Sequence, residues 1–414
     1  MSILRISTLT LGLLITLAVV AQAEDTGRIY GKIQTVDGDV FEGLIRWDKN
    51  EGGWVDVLDG DKNLPKKNLR KSERKRYRDE GTSIKILGLT LGDKYSSWSD
   101  FGTAQSGIRF GHIKSLEVVD DDMVLLTTKS GIEVELEHGS TDIGKDIREI
   151  IIEDNQEGEI ELVWDDIESI TFLAPDKEYS SNFGDRLYGT LTTRRGETFN
   201  GFVCWDIDEL FTEDILDGDE RNRKRKIPFG KIASIERYSS SGATVKLVDG
   251  DEMLLRESND IDDGNRGIII SDPAFGQVRV NWDEFEKLDF SKAPGAIEYG
   301  HFDGGQRLYG TVYTEDGQKV TGEIRWDNDE EYTWEILDGD YHDIEFDIEF
   351  GLIKEISKRS YRSCDVTVSD GRTFRLRGSN DIDEDNKGVF VTLDNGEEVD
   401  IDWEDFEKVE FTRK

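Results

Sequence analysis

The sequence predicts an all-β chain of six small modules, arranged as three tandem doublets. Three observations lead to this prediction. Apolar and polar residues alternate over short runs that are separated by Asp-Gly pairs, which is typical of antiparallel strands joined by tight turns. An Arg-(Ile/Leu)-Tyr-Gly opening recurs at 28–31, 186–189 and 307–310, and a short aromatic segment recurs six times.

We name this aromatic segment the aromatic box. In the copy formed by Val280, Trp282, Phe285 and Leu288, the apolar residues are spaced by two, three and three positions. A spacing of two is that of a strand, and the two spacings of three suit one turn of 3₁₀ helix. The box therefore predicts a strand, a 3₁₀ turn and a second strand. The six copies begin at Ile108, Leu162, Ile227, Val280, Ile348 and Ile401.

The repeats also divide the chain into domains. We expect a signal peptide at 1–23 and repeat blocks at 24–175, 186–291 and 307–414, each holding two β modules. The first block carries a basic insertion at about 62–106 that the other blocks lack. Short linkers rich in turn residues separate the blocks, and we expect the three doublets to lie in a row.

The first residues have the pattern of a targeting segment. Arg5 precedes a largely apolar run at 11–20, and Ala21-Gln22-Ala23 forms a small-x-small cleavage site. This pattern predicts a cleaved secretory signal, and no second apolar run is long enough to span a membrane. We therefore expect an exported protein, periplasmic or extracellular, from a bacterial envelope.

The composition excludes some functions. The net charge of −38 opposes binding to the phosphates of nucleic acids. Only 36% of the residues are apolar, which favours several small cores over one large core. The two cysteines, Cys204 and Cys364, do not make a disulfide scaffold. An exported protein permits a disulfide between them, and the sequence leaves that pairing open, with Cys204 expected to face outward.

Each module resembles a small SH3-like barrel and, more narrowly, the Sm-like variety. The segment 315–327 is similar to the first Sm signature, with a turn, a strand containing Gly322 and a closing Asp327. The aromatic box is similar to the elements that close an SH3-like barrel. The Asn of the family's RNA-contacting loop and its N-terminal helix are missing here, so the resemblance implies a fold and no activity.

Acidic loops recur after the second strand of most modules. Asp and Asn at alternating positions can wrap Ca²⁺, which takes six to eight oxygen ligands. The alternative is a solvated turn held by local hydrogen bonds from Asx side chains. In the first block, Ser140-Thr141-Asp142 replaces the motif. The candidate Ca²⁺ ligands are Asn259, Asp260, Asp262, Asn265, Asn380, Asp381, Asp383 and Asp385.

Two basic clusters stand out against the acidic background. These positively charged clusters could bind a partner protein or an anionic envelope component. The alternative is that they are solvated loops or pack on the acidic surface of the same chain. The candidate partner-binding residues are Lys66, Lys67, Arg70, Lys71, Arg74, Lys75 and Arg76 in the first cluster, and Arg221, Arg223, Lys224 and Arg225 in the second.

Six tryptophans occupy two repeated positions and are in phase with inward-facing aliphatic residues, which predicts a structural core role in preference to sugar stacking. They are Trp47, Trp205 and Trp326 at one position and Trp164, Trp282 and Trp403 at the other. The less regular Trp54, Trp98 and Trp334 are expected to be exposed.

No catalytic arrangement is evident. The four histidines do not recur between blocks, and no nucleophile or zinc-protease motif is present. The sequence therefore predicts a non-enzymatic β-repeat protein that acts as an interaction scaffold in the cell envelope. The alternative is a Ca²⁺-dependent binding or adhesion protein that uses the acidic loops.

Overall fold

A computed structural model describes residues 27–63, 103–137, 140–176 and 179–413. Within these ranges the chain forms antiparallel strands, short 3₁₀ turns and loops, and it contains no α-helix. The all-β prediction is confirmed. The predicted signal segment at 1–23 and residues 64–102 of the predicted basic insertion lie outside the described residues.

The first block contributes ten strands. They are β1 (Tyr30–Thr35), β2 (Val40–Trp47), β3 (Val57–Asn63), β4 (Thr103–Arg109), β5 (Ile113–Asp120), β6 (Met123–Thr128), β7 (Glu133–Glu137), β8 (Ile150–Asp154), β9 (Gly158–Leu162) and β10 (Ile167–Phe172).

The second and third blocks repeat this order. The second block contains β11 (Tyr188–Thr193), β12 (Thr198–Cys204), β13 (Ile215–Glu220), β14 (Arg223–Pro228), β15 (Ile232–Ser239), β16 (Gly242–Leu247), β17 (Glu252–Arg256), β18 (Ile268–Asp272), β19 (Gly276–Val280) and β20 (Phe285–Phe290). The third contains β21 (Tyr309–Thr314), β22 (Lys319–Arg325), β23 (Ile336–Tyr341), β24 (Ile344–Glu349), β25 (Ile353–Ser360), β26 (Ser363–Val368), β27 (Thr373–Leu376), β28 (Val389–Thr392), β29 (Glu398–Ile401) and β30 (Phe406–Phe411).

The described strands form three sheets. The first has the order β4-β3-β7-β6-β5-β10-β1-β2-β8-β9. The module boundary is crossed repeatedly, because β2 pairs with β8, β3 pairs with β7 and β1 pairs with β10. The arrangement of six separate closed barrels is not confirmed, since the sheets are open and the two modules of a block exchange strands.

The sheet boundaries also differ from the block boundaries. The second sheet has twelve strands in the order β14-β13-β17-β16-β15-β20-β11-β12-β18-β19-β24-β23, and the third has eight in the order β27-β26-β25-β30-β21-β22-β28-β29. The hairpin β23–β24 thus belongs to the third block in sequence but joins the sheet of the second through β19. Strand pairing therefore makes these two blocks continuous.

The aromatic boxes adopt the predicted turn in four copies. Their 3₁₀ turns are Phe110–His112, Trp164–Asp166, Phe229–Lys231 and Phe350–Leu352. The other two copies have a wider turn, in which Phe285 N–H donates to the Asn281 carbonyl at 3.0 Å and Phe406 N–H donates to the Asp402 carbonyl at 3.1 Å. All six repeated tryptophans lie inside, with 0–4% of their surface exposed.

Glycines of the repeated openings face each other across strands. Gly31 lies opposite Gly43, and the same pairing recurs in the other two blocks. A Cβ atom on Gly43 would lie 1.9 Å from the carbonyl oxygen of Glu153 on β8. These glycines therefore allow the close approach of strands that the module exchange requires.

The blocks do not lie in a row, because the first block contacts both others. Phe202 of the second block and Trp334 of the third both pack into the core cluster of the first. Trp54 and Trp334 are 0% and 1% exposed, so the prediction that they are exposed is wrong. Trp334 packs into the core cluster of the first block, and Trp54 packs against Tyr299 of the linker before the third block. A repeat pattern carries no information about such contacts. Trp98 lies outside the described residues.

Candidate functional site

The same tight turn follows the second strand of every block, at residues 47–51, 205–209 and 326–330. Its two central residues adopt positive φ, as in Asp206 at 49° and Ile207 at 54°. The turn tryptophan donates its indole N–H to a carbonyl of the acidic loop later in the block. The N···O distances are 3.0 Å from Trp47 to Asp142, 2.8 Å from Trp205 to Asp260 and 2.9 Å from Trp326 to Asp381.

The predicted Ca²⁺ ligands lie in these acidic loops. The Asp260 carboxylate accepts the N–H of Asp217 at 2.6 Å, and the Asp381 carboxylate accepts the N–H of Asp338 at 3.0 Å. The Asn265 amide bridges its own loop, donating to the Asp260 carbonyl and accepting from the Gly267 N–H. The Asn265 bonds are local, as in a turn held by Asx side chains, whereas the Asp260 and Asp381 carboxylates accept N–H groups from a distant strand of the same block.

The remaining loop residues make similar bonds. Asn259 donates to the Asp206 carboxylate, and Asn380 donates to the Asp327 carboxylate, both at 2.5 Å. Asp262 accepts the Gly264 N–H. In the third block, Asp383 accepts the Asp385 N–H. Within the described residues no group of three or more His, Cys, Asp or Glu side chains is placed to hold a metal ion. Ca²⁺ binding by these loops stays a prediction.

One glutamate closes each of the three turns, namely Glu51, Glu209 and Glu330. Burial, followed by repulsion from Asp260 and other nearby carboxylates, raises the pKa of Glu209 to about 10. Burial and neighbouring carboxylates likewise raise the pKa of Glu51 and Glu330 well above the ordinary range. Glu209 is therefore protonated at neutral pH, which avoids a charge in a buried acidic cluster.

A second acid near each turn accepts two backbone N–H groups and also meets a cation from another block. These acids are Asp56, Asp214 and Glu335. Arg186 of the second block bonds Asp56 at 2.7 Å, and Arg46 of the first block bonds Asp214 at 2.9 Å. Lys62 of the first block bonds Glu335 of the third. The turn clusters therefore hold the blocks together.

Phe211 lies at the centre of the contact between the first two blocks. The guanidinium carbons of Arg28, Arg46 and Arg186 lie 4.0, 5.4 and 5.7 Å from its ring centroid. Burial lowers the pKa of Arg28 to about 9. Cys204 packs against Leu210 and Phe211 and is 4% exposed, so its predicted outward position is wrong.

Both cysteines are buried and unpaired in this structure. Burial raises the pKa of the Cys204 thiol well above its ordinary range, with the Arg186 charge opposing that effect. Burial raises the pKa of the Cys364 thiol as well. Because the thiolate is the reactive form of cysteine, both shifts oppose activation of these thiols as nucleophiles.

The second basic cluster forms the hairpin β13–β14, whose turn residues Arg221 and Asn222 have φ of 51° and 64°. Arg223 and Lys224 are exposed, and Arg225 pairs with Glu220 of the neighbouring strand. β14 is the first strand of the twelve-stranded sheet and pairs with β13 alone among the described strands. The hairpin therefore presents its cations at a sheet edge.

The first basic cluster falls outside the described residues. Its members Lys66, Lys67, Arg70, Lys71, Arg74, Lys75 and Arg76 follow β3 and precede β4 in the chain. β3 and β4 pair with each other, and Asn63 lies opposite Thr103. The insertion therefore replaces the two-residue turn that joins β13 to β14 in the second block.

Sequence reasoning did not find the clefts between blocks. A cleft of about 590 Å³ between the second and third blocks is lined by Phe199, Tyr341, His342 and Phe374, among others. His342 Nδ1 lies 3.4 Å from a Glu197 carboxylate oxygen across this boundary. Phe41 occupies the Phe199 position in the first block, but Tyr341, His342 and Phe374 have no aromatic counterpart in the other blocks, so the repeat pattern did not indicate this cleft.

Comparison of the chain with protein-family models, with curated proteins and with solved structures found no match. Within the described ranges no helix is long and apolar enough to cross a membrane.

Proposed function

We propose that this chain is an exported, non-enzymatic interaction scaffold of the cell envelope. In this proposal the basic hairpin β13–β14 binds an acidic protein or an anionic envelope component. The observation that carries the proposal is the cluster of Arg221, Arg223, Lys224 and Arg225 on one hairpin of a chain with a net charge of −38. A local positive surface on such a chain attracts anions that the rest of the molecule repels.

The contacts between blocks support a scaffold role. Arg186 and Asp56 are each 5% exposed, and Lys62 and Glu335 are 11% and 2% exposed. Buried ion pairs of this kind are costly to break, so they favour one fixed arrangement of the three blocks. A fixed arrangement holds binding surfaces on different blocks at constant separation.

The roles of the acidic side chains support a non-enzymatic function. The carboxylates of Asp56, Asp214, Asp260 and Asp381 each accept backbone N–H groups. These contacts are structural and are repeated from block to block. A catalytic acid–base pair would instead be expected to face a cleft beside a substrate.

We further propose that the modules descend from SH3-like or Sm-like units that exchanged strands. The run β9-β8-β2-β1-β10 takes two strands from the first module and three from the second. Counted within each module, these strands are the fourth, third, second, first and fifth, so the run contains one strand of each rank. The exchange would have joined two such units into one block.

The hairpin can be tested by neutralising its four cations together, through Arg221→Ser, Arg223→Ser, Lys224→Ser and Arg225→Ser. A matched control changes four other exposed lysines to Ser, namely Lys231, Lys246, Lys292 and Lys354. Both variants lose four positive charges, so a difference between them reports on the hairpin and excludes net charge as the cause.

The probes are poly-L-glutamate and phosphatidylglycerol vesicles, with phosphatidylcholine vesicles as a neutral reference. We expect the wild type and the control to bind an anionic probe at low salt, and the hairpin variant to bind at least about tenfold more weakly. Equal binding by both variants would refute a role for the hairpin. Hydrolysis of an envelope substrate by the purified protein would refute the non-enzymatic function.

A further inference from the structure

One sheet contact within the chain shows how the edges of these blocks can join. β19 of the second block pairs with β24 of the third over five residue pairs, from Gly276↔Ile348 to Val280↔Ile344. Arg279 lies opposite Glu345, and their side chains form an ion pair at 3.6 Å. The ninth strand of one block thus pairs with the fourth strand of the next block.

The corresponding strands of the first two blocks are not joined in this way. β9 is the counterpart of β19, and β14 is the counterpart of β24. Among the described strands β9 pairs with β8 alone and β14 pairs with β13 alone, so each is the outermost strand of its sheet. The first two blocks instead meet through Arg46, Arg186 and Phe211.

The two free edges carry opposite charges. β9 exposes Glu159 and Glu161, and neither carboxylate forms an ion pair with the described residues. β14 exposes Lys224 and Lys226, of which Lys226 lies 3.7 Å from Asp217. If β9 and β14 took the register of β19 and β24, Glu159 would lie opposite Lys226 and Glu161 opposite Lys224. Opposite charges directly across strands stabilise an antiparallel pair.

From this complementarity we propose that a second copy of this chain adds its β9 edge to β14. Because the two edges differ, the contact is heterologous, and successive copies form a ring or an open chain of molecules. The contact depends on charge pairs with little apolar area, since Arg223 and Arg225 replace the Ile344 and Phe346 found in β24. The association is therefore weak and sensitive to salt. The proposal of a copy-to-copy contact rests on the proposed function, because both treat β14 as a binding surface. It identifies the partner as a second copy of this chain.

An alternative role for these charges is protection of the edge, because Lys residues and a proline such as Pro228 discourage strand addition. The two roles give different results in sedimentation velocity experiments on the full chain. Strand addition predicts a sedimentation coefficient that rises with protein concentration at about 20 mM salt and returns to the monomer value at about 500 mM. A monomer at every concentration and salt would overturn the proposal.

Charge reversal tests the pairing itself. We expect Lys224→Glu with Lys226→Glu, and separately Glu159→Lys with Glu161→Lys, to weaken self-association at least about tenfold. Mixing the two variants should restore association, because each reversed edge then meets an edge of opposite charge. A mixture that stays monomeric would overturn the proposal.

A third variant identifies the edge. β29 is also outermost in its sheet and carries Glu398 and Asp400, although Glu398 already pairs with Arg325 at 3.2 Å. We expect Glu398→Lys with Asp400→Lys to leave self-association unchanged, and loss of association in this variant alone would overturn the assignment to β9.

Binding to the anionic probes separates the copy-to-copy contact from the proposed function. A wild type that binds either anionic probe but does not self-associate refutes only the copy-to-copy contact, whereas self-association without binding to poly-L-glutamate or to phosphatidylglycerol vesicles refutes only the proposed function.

Discussion

The ion pair between Arg186 and Asp56 offers a direct test of how the blocks are held together. The guanidinium Nη2 lies 2.7 Å from the Asp56 carboxylate, and both side chains are 5% exposed. The change Arg186→Met keeps most of the apolar stem but leaves the Asp56 charge buried without its counter-ion. Removing one partner of a buried pair costs about 3–5 kcal/mol, so we expect a loss of stability of that size.

The third block supplies a matched control. Arg307 occupies the same repeat position and pairs with Glu331, but its side chain is 40% exposed. We expect Arg307→Met to cost about 1 kcal/mol or less, because water screens an exposed pair. The free energy of unfolding of both variants can be compared with that of the wild type by urea denaturation, with tryptophan fluorescence as the signal.

A double-mutant cycle with Asp56→Asn isolates the pair. In the Asp56→Asn background, Arg186→Met should cost at least about 1 kcal/mol less than in the wild type, because no buried charge is left unpaired. Equal losses for Arg186→Met and Arg307→Met, or a cycle with no coupling, would refute the view that this buried pair joins the blocks.

Three further predictions concern the repeated features. Gly43→Ala should destabilise the protein by about 1–3 kcal/mol, because the added Cβ meets the Glu153 carbonyl, and an unchanged urea midpoint would contradict the close approach of β2 and β8. The pKa of Glu209 is raised to about 10 in the folded protein. The contribution of this protonated carboxyl to the free energy of unfolding is therefore complete below about pH 4.5 and is lost as the pH rises toward 10. Glu209→Gln should therefore raise the melting temperature relative to the wild type at pH 9 but not at pH 5, and an equal effect at both values would exclude titration of this group. Millimolar Ca²⁺ should leave the melting temperature unchanged, because Asp260 and Asp381 already accept backbone N–H groups, whereas a clear rise would favour the Ca²⁺-dependent function.

Much of the local structure could be predicted from the sequence. Alternation of apolar residues and Asp-Gly turns indicated the strands, and the box spacing located the turns at Phe110, Trp164, Phe229 and Phe350. These features depend on neighbours within a few residues, so a local pattern contains them.

The candidate sites were predicted less well. The acidic loops have the composition of a cation site. That composition could not show that the Asp260 and Asp381 carboxylates accept N–H groups of a distant strand. The contacts of Arg46 and Arg186 with acids of another block also depend on tertiary structure. A repeat shows that residues are equivalent, but it does not show what each copy touches.

The sequence by itself determined the all-β class and the buried position of the repeated tryptophans, because each depends on a periodic pattern along the chain. Only the tertiary structure decided that modules exchange strands within a block and that β23–β24 joins the sheet of the second block. Many strands of this chain share the same alternation of apolar and polar residues, so the alternation alone would allow each strand to pair with several others. The choice among them is made by the close approach at glycines such as Gly43 and by contacts between residues far apart in sequence.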